Sequence, residues 1–533
     1  MKFSKSLLCL LLALSLLAGC AGAFAEESGF PLVSEPITFT AFTPWVEHMS
    51  DPATNTMNVT YEEMTGVHIE WIQSQDYTTD LNLMIAGGQD VDLWLIPFST
   101  SQVLTMVDAG KLLPLNDLID EYAPNLKAAL EEHPEFREYL TAPDGNIYTF
   151  FTTDCGLHMP NRRKMFVQKD WLNAYRESVG DETAPNTVEE FEEMLVFFRD
   201  SDLNGNGAQD EIPLIGSTNV EDDPLFFLMN AFTQASNSFY HIEDGQIVFE
   251  ANSDAWREGL KWIAHLNSEG LLYGEETYVQ DRDQLRALVN VSDPANYVVA
   301  TIPTFWEGRF VDSSVLNWTD YEAILPLEDA NGVRRAVANG TTSFALQSAI
   351  SSTCSDPVAA IRWLDWWIGE EGSFANHWGM AEGEDYEYCD VPAINGTEPS
   401  VAALKDSYTS NFRFGENSVP KFDRESIRYA ASLDETVFNT NNSYVLYVAG
   451  KAYQPYWVDT NIPLVTWSAD TDLINSMNEY ATLINDTVRM AYTEFILGLR
   501  DINNDSDWQA YLDELDAVGL DAYLELLAQY YAL

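Results

Sequence analysis

The order of local patterns near the N-terminus constrains the fold most strongly. Alternating apolar and polar residues predict strands at residues 37–42 and 67–72, and an apolar run predicts a third strand at 91–96. Helical patterns lie between them, at residues 55–66 and 77–86, and glycines mark where both end. Two successive strand–helix–strand units predict a largely parallel sheet with helices on both faces. This part of the chain should therefore be α/β.

The remainder of the chain is richer in helical patterns. The 533 residues correspond to two or three domains or to two large lobes, and 46% of them are hydrophobic, which suffices for a core. Strand patterns recur at residues 297–301 and 322–325. The clearest helical pattern covers residues 471–499, and a shorter one follows at 508–518.

The charge balance excludes two classes of partner. The chain has 27 Lys and Arg residues against 84 Asp and Glu residues, which gives a net charge of -57. A surface this acidic repels the phosphates of nucleic acids and anionic lipid headgroups. We therefore predict no nucleic-acid partner and no membrane contact through the folded body. The same charge favours a neutral ligand, although local arginines such as Arg162 and Arg163 could override it.

The first twenty residues have the pattern of a lipoprotein signal. Lys2 and Lys5 precede an apolar run at residues 7–17 that is too short to anchor the chain across a bilayer. The following Leu17-Ala18-Gly19-Cys20 has the form of a lipobox, in which the cysteine becomes the first mature residue and carries lipid. We therefore predict lipidation at Cys20.

This interpretation divides the N-terminus into two segments. Residues 1–19 would be a signal peptide, and residues 20–35 would be a lipidated, flexible tether. The protein would then be anchored by lipid at the extracellular face of the bacterial cell membrane. The alternative is ordinary secretion, with cleavage after Ala23-Phe24-Ala25.

The common catalytic motifs do not occur in the sequence. We find no G-x-S-x-G elbow, no G-x-x-x-x-G-K-[ST] loop, no H-E-x-x-H helix and no G-x-G-x-x-G after a strand. A glycosidase needs only two suitably spaced carboxylates, and the 84 acidic residues leave that alternative open. We predict that the protein is not an enzyme and has no catalytic residues.

The strongest local motif is a cation-binding loop at residues 202–211. It matches the first part of a calcium loop, in which oxygen atoms recur at alternate positions around a glycine. The position that normally carries the last acid is Pro213, so the neighbouring glutamate is the nearest substitute. The predicted ligands of a structural Ca²⁺ are Asp202, Asn204, Asn206, Ala208 through its carbonyl, Asp210 and Glu211. The alternative is a turn cluster without metal.

Three tryptophans lie at strand ends or in loops, and two of them, Trp45 and Trp306, stand where a ligand would bind. Trp45 follows the first predicted strand, Trp306 follows the strand pattern at 297–301, and Trp467 precedes the long C-terminal helix. Ligands collect at the carboxyl ends of strands in α/β folds, and flat aromatic rings stack on the apolar faces of sugars. The alternative for each tryptophan is core packing.

An ordered set of short stretches runs along the chain. The stretches are Tyr61 to Val67, Leu81 to Gly88, Asp144 to Tyr148, Lys169 to Leu172, the cation loop running into Asp210 to Pro213, Gly379 to Tyr386, and Phe495 to Gly498 with Trp508 and Tyr511. In this order they resemble the family 1 extracellular solute-binding proteins, which are the lipoprotein components of ABC importers for oligosaccharides.

The resemblance implies a fold of the type II periplasmic-binding-protein kind. Two hinged α/β lobes, each with a mainly parallel sheet flanked by helices, would close on a sugar. The N-terminal lobe would comprise residues 36–150 and 338–400, and the C-terminal lobe residues 151–337 and 401–533.

The resemblance also implies a site and partners. Trp306, ahead of Leu325-Pro326, matches the ligand-stacking tryptophan of relatives of the maltose-binding protein, and the cation loop is similar to that of alginate-binding relatives. We predict Trp45, Tyr148, Trp306 and Trp467 as ligand-binding residues. A monomer would capture an oligosaccharide and deliver it to ABC permease subunits. A ligand-sensing lipoprotein would have the same sequence features.

Overall fold

The computed structural model describes residues 29–45, 51–340, 343–404, 418–434, 443–468 and 470–533. The predicted signal peptide and Cys20 lie outside these ranges. In the part of the chain that is described, each helix is too short or too polar to cross a bilayer.

The chain forms two compact units. The first unit consists of Met1–Thr152, Ala345–Glu387 and Ala403–Asp423, and the second of Thr153–Phe344, Tyr388–Ala402 and Arg424–Leu533. The chain passes between the units at five places, whereas the boundaries predicted from the sequence use three passages. Both units combine strands with helices, which agrees with the predicted α/β class.

The strands are short and spread over the whole chain. They are β1 (Ile37–Pro44), β2 (Val67–Ser74), β3 (Leu93–Phe98), β4 (Thr149–Asp154), β5 (Lys164–Gln168), β6 (Tyr240–Glu243), β7 (Gln246–Phe249), β8 (Thr301–Thr304), β9 (Tyr321–Ile324), β10 (Ala336–Ala338), β11 (Ser343–Ile350), β12 (Tyr386–Cys389), β13 (Ser400–Ala403) and β14 (Trp457–Asp459).

Helices account for more of the structure than strands do. They are α1 (Thr56–Thr65), α2 (Tyr77–Gly87), α3 (Thr100–Asp108), α4 (Asn116–Tyr122), α5 (Pro124–Glu132), α6 (Pro134–Leu140), α7 (Lys169–Val179), α8 (Val188–Asp200), α9 (Pro224–Met229), α10 (Asp254–Ser268), α11 (Gly274–Thr277), α12 (Arg282–Val289), α13 (Pro357–Ile368), α14 (Glu370–Trp378), α15 (Glu425–Arg428), α16 (Ser443–Tyr453), α17 (Thr471–Ile496), α18 (Asp505–Ala517) and α19 (Leu520–Tyr530).

The sheet of the first unit has the strand order β2-β1-β3-β11-β4. The strand β1 runs parallel to both β2 and β3, and β11 returns antiparallel to β3. The helix α1 begins after Asn55, whose side chain accepts from two backbone N–H groups, and ends at Gly66 with a φ of 74°. The two predicted strand–helix–strand units are therefore confirmed.

Part of the predicted tether packs on the first unit. The backbone N–H of Leu32 donates to the carbonyl of Thr65 at 3.0 Å. The Arg362 guanidinium, on α13, donates to the carbonyls of Leu32 at 2.9 Å and of Gly29 at 3.4 Å. Residues 29–32 are thus held by hydrogen bonds, where we had expected a flexible segment.

The sheet of the second unit differs from the expectation. Its strand order is β8-β5-β9, and β5 runs antiparallel to both neighbours. Outside these strands, Ile212 forms an isolated parallel bridge with Val299, shortly before β8. A strand pattern records which residues are buried, while strand direction depends on connections more than a hundred residues long. The predicted strand at 297–301 lies instead at Thr301–Thr304.

The long helix α17 organises the C-terminal part of the second unit. Its buried residues Ile484, Val488, Tyr492 and Phe495 recur every three or four positions and join one core with α10, α18 and α19. The helix ends three residues earlier than predicted, before Gly498, whose φ is 71°.

Candidate functional site

A polar pocket of about 270 Å³ lies within the second unit. Residues from the segments 160–163, 235–238, 337–339 and 460–462 line it, together with Phe226. The lining combines guanidinium, amide and hydroxyl groups with one aromatic ring. Concave sites with a few polar groups among apolar ones are typical of ligand binding.

Two parallel strands position one wall of this pocket. Ala338 at the end of β10 pairs with Asp459 at the end of β14, so the residues that follow both strands lie at the same edge. Those residues are Asn339 and Thr460, and the Thr460 hydroxyl donates to Asn339 Oδ1 at 3.1 Å. The pocket therefore lies at the carboxyl ends of parallel strands, where ligands collect in α/β folds.

Arg163, directly before β5, forms another part of the pocket wall. Only 7% of the residue is exposed, and its guanidinium lies 5.1 Å from the centre of the Phe226 ring. One Nη donates to the carbonyl of Arg162 and the other to Asn237 Oδ1. The Nε–H has no acceptor among the described residues. Burial lowers the pKa of Arg163 to about 10, so the guanidinium stays charged at neutral pH.

Three consecutive carboxylates lie next to this wall. Glu221 pairs with Arg309 at 2.8 Å and Arg162 at 3.3 Å, and Asp222 pairs with Arg282 at 2.9 Å. The third, Asp223, accepts hydrogen bonds from the Tyr492 hydroxyl and the Leu225 N–H. Burial raises the pKa of Asp223, which these hydrogen bonds partly offset. The pocket therefore borders a dense charge network.

A buried lysine and a buried glutamate lie in the same unit. Lys164 Nζ donates to the carbonyls of His158 and Asn161. Burial lowers the pKa of Lys164 to about 7 and raises the pKa of Glu307 to about 8. Among the described residues, the Glu307 carboxyl has no hydrogen-bonding partner beyond its own backbone. Burial therefore favours the neutral form of both side chains.

The cation loop forms a compact turn held by its own side chains. Gly207 has a φ of 83°, and its N–H donates to Asp202 Oδ2 at 3.0 Å. The N–H groups of Asn206 and Ala208 donate to Asn204 Oδ1 and Asn206 Oδ1. The predicted ligand oxygens are thus brought to one loop.

Two carboxylates close this loop. The side-chain amides of Asn204 and Asn206 lie 3.0 to 3.2 Å from the oxygens of Asp210. Glu211 Oε1 accepts from the Leu203 N–H at 2.7 Å, while its buried Oε2 has no partner among the described residues. No cluster of three or more His, Cys, Asp or Glu in the described ranges could hold a metal. The loop instead offers amide, carbonyl and carboxylate oxygens, which are ligand types that Ca²⁺ accepts.

Of the two predicted ligand-binding residues in the first unit, one is exposed and the other is buried. Trp45 follows β1 and is 44% exposed. Tyr148 precedes β4 and is buried, and its hydroxyl donates to Asp144 Oδ2 at 2.7 Å. Burial and that carboxylate raise the pKa of Tyr148.

The predicted ligand-binding residues of the second unit do not line the pocket. Trp306 is buried against Trp318, with ring centres 6.0 Å apart, and a Cβ at residue 308 would collide with its ring. Trp467 is half-buried before α17. The pocket residues Asn237, Asn339 and Thr460 were not predicted. The adjacent arginines 162 and 163, rare in so acidic a chain, were the only signal for this site.

Comparisons with known proteins give a consistent result. The sequence model of the family described as bacterial extracellular solute-binding protein matches residues 56–383. The fructooligosaccharide ABC transporter substrate-binding protein FusA of Streptococcus pneumoniae is 27% identical over 561 residues, which covers 99% of this chain and 98% of FusA. Lipoprotein LipO of Bacillus subtilis is 22% identical over 275 residues, which covers 51% of each chain.

Solved structures share the fold. A structure of the Streptococcus pneumoniae FusA in complex with kestose has a TM-score of 0.73 at 24% identity, and covers 93% of this chain and 99% of that one. A structure of a FusA EF-hand mutant in complex with fructo-nystose matches with the same values.

Proposed function

Because the chain belongs to the family of bacterial extracellular solute-binding proteins, we propose that it captures an oligosaccharide outside the cell and delivers it to an ABC transporter. The similarity to FusA over nearly the whole of both chains carries this proposal. Capture and release need no covalent chemistry, so the protein would act as a carrier and not as an enzyme. Binding would shift a conformational equilibrium by the difference in affinity between two states.

We assign part of the ligand site to the pocket of the second unit. Its volume of about 270 Å³ is close to the lower end of small-molecule pockets, roughly 300–1,000 Å³. It would therefore hold one sugar unit of a longer ligand. Trp45, Tyr148, Trp306 and Trp467 stay predicted ligand-binding residues, and the buried positions of Tyr148 and Trp306 favour a supporting role.

The test is thermal unfolding of residues 21–533 with a panel of oligosaccharides that includes kestose. A ligand present at about a hundred times its Kd should add about 2.7 kcal/mol to the free energy of unfolding. The sugar recovered afterwards should be intact. A panel without any stabilising oligosaccharide would overturn the proposal, and cleaved sugar would instead indicate a glycoside hydrolase.

We further propose that the loop 202–211 binds a structural Ca²⁺. The unpaired Glu211 Oε2 and the surrounding oxygens of the loop support this, and so does the EF-hand named for FusA. Ca²⁺ should raise the Tm and a chelator should lower it. Asp202→Asn should lose most of this response, while the matched change Asp200→Asn, outside the loop, should keep it. If neither Ca²⁺ nor chelator changes the Tm, the loop does not bind a structural Ca²⁺.

The membrane attachment is also a proposal. The lipobox at Cys20 and the similarity to LipO support a lipid-anchored protein at the outer face of the cell membrane. Cys20→Ser should release the protein into the medium, whereas Cys9→Ser, inside the predicted signal peptide, should leave it in the membrane fraction. Equal membrane retention of both variants would contradict lipidation at Cys20.

A further inference from the structure

Two arginines, Arg162 and Arg163, line the pocket of the second unit in a protein that is strongly acidic. The whole chain carries a net charge of -57. Around the pocket, however, five arginines face the three carboxylates of residues 221–223. These arginines are Arg162, Arg163, Arg282, Arg309 and Arg489.

The ion pairs leave two of these arginines without a carboxylate. Glu221 is shared by Arg162 and Arg309, and Asp222 pairs with Arg282. Asp223 is occupied by the Tyr492 hydroxyl and the Leu225 N–H. Within the described residues, no carboxylate oxygen lies within 4 Å of Arg163 or Arg489.

Of these two arginines, only Arg163 lines the pocket. Its Nη atoms are bound to two neutral acceptors, the Arg162 carbonyl and Asn237 Oδ1. Its Nε–H is buried and has no acceptor in the part of the chain that the structure describes. Leaving a buried charged donor unpaired is costly, because the desolvation of that group is not compensated. A ligand carboxylate in the pocket would supply the missing negative charge, and each Nη has a second N–H that could donate to it.

We propose that the pocket binds a carboxylate of an acidic sugar, with Arg163 as its principal contact. Among the described lining residues, Arg163 is the one guanidinium without a carboxylate partner. Its single positive charge matches one negative charge, which favours a carboxylate over a doubly charged phosphate. Asn339 and Thr460 are placed to bond the hydroxyls of the same ring. This inference rests on the proposed function and names the ligand class as uronate-bearing oligosaccharides. It reverses the expectation from overall charge, because direct contacts in the pocket act at short range, whereas salt screens the field of distant surface charges.

The decisive experiment compares each acidic sugar with its uncharged methyl ester. Galacturonate, glucuronate and mannuronate oligosaccharides and their methyl esters would be titrated calorimetrically into residues 21–533. We expect at least one of the three free acids to bind at least tenfold more tightly than its own methyl ester. Hydrogen bonds between a guanidinium and a carboxylate are stronger than hydrogen bonds between neutral groups. The preference should weaken as salt is added, because the interaction is partly electrostatic.

Variants assign the preference to one residue. Arg163→Gln should abolish the preference for the acid, while Arg489→Gln, which removes the other unpaired arginine outside the pocket, should keep it. If Arg163→Gln does not fold, Arg163→Lys should keep the charge but reduce the preference, because it lacks the fixed geometry of the guanidinium.

The outcomes separate this inference from the proposed function. Equal binding of acid and ester, or tight binding of neutral oligosaccharides alone, would overturn the inference and leave the carrier function standing. A preference that survives in Arg163→Gln would also overturn it. If no oligosaccharide of either kind binds, the carrier function and the inference fail together.

Discussion

The two units bury a carboxyl group in opposite ways. In the first unit, Asp365 on α13 accepts hydrogen bonds from the N–H of Leu126 at 2.7 Å and from the N–H and side-chain amide of Asn125 at 3.1 and 2.9 Å. In the second unit, Glu307 is fully buried and has no such donors among the described residues. One carboxyl group is thus hydrogen-bonded several times, and the other is not.

The partners explain what each carboxyl group does. Residues 124–132 form α5, which has no side-chain cap of its own, so Asp365 supplies the cap from another helix. Glu307 instead shares a buried region with Lys164, directly beside Arg163 in sequence. The first arrangement fixes the packing of helices. The second keeps titratable groups desolvated near a pocket, which is more common at functional sites.

The largest predicted effect tests the neutral pair in the second unit. With Lys164→Met, Glu307 stays protonated in the folded state up to about pH 8 but ionises in the unfolded state above its usual pKa. The folded state then binds the extra proton, so stability falls as pH rises, by ~1.4 kcal/mol per unit, or ~4 kcal/mol between pH 5 and 8.

The partner variant should show the opposite slope. With Glu307→Gln, Lys164 is neutral above about pH 7 in the folded state, while the unfolded state keeps its proton. Stability should therefore rise by ~1.4 kcal/mol per unit between pH 7 and 10. Chemical denaturation across pH measures both slopes, with the double variant as the reference that removes both titrations. If the free energy of unfolding changes with pH in the same direction in both single variants, Lys164 and Glu307 are not a neutral pair.

The second prediction concerns Asp365, the hydrogen-bonded carboxyl group of the first unit. Asp365→Ala should lower the free energy of unfolding by about 2–4 kcal/mol at neutral pH, because several buried N–H groups at the start of α5 lose their acceptor. Asp365→Asn keeps one acceptor oxygen and should cost less than half as much. Denaturant unfolding measures both. Equal losses would mean that one amide oxygen cannot replace the carboxylate, which accepts hydrogen bonds through both of its oxygens.

The two units also differ in how much of their structure the sequence predicts. The strands and helices between Ile37 and Phe98 follow from local patterns, because each is a short segment with its own periodicity and cap. The motif of the loop 202–211 is equally local, since its predicted ligand positions fall within ten residues. The antiparallel direction of β5, β8 and β9 is not local, and neither the apolar pattern nor the spacing records it.

The pocket was beyond sequence analysis for a related reason. Its lining comes from segments up to about three hundred residues apart, brought together by the pairing of β10 with β14. Arg163 could be noticed as a rare cation, but its unpaired Nε–H is a property of packing. Likewise, an aromatic residue after a strand, such as Trp306, has the same sequence signature whether it faces a ligand or fills a core.

The smallest predicted effect contrasts two arginines. Arg362 of the first unit donates to the carbonyls of Leu32 and Gly29 and so holds residues that precede β1, whereas Arg163 of the second unit keeps a donor unpaired. Arg362→Ala should cost at most about 1 kcal/mol overall, because exposed hydrogen bonds contribute little net stability. Amide exchange of Leu32, which donates to Thr65, should accelerate about fivefold, since this local opening loses a similar free energy. Arg137→Ala, on another helix of the same unit, should leave that exchange unchanged. If Leu32 exchanges at the same rate in both variants, Arg362 does not hold the segment, and the predicted tether would extend freely up to the first strand.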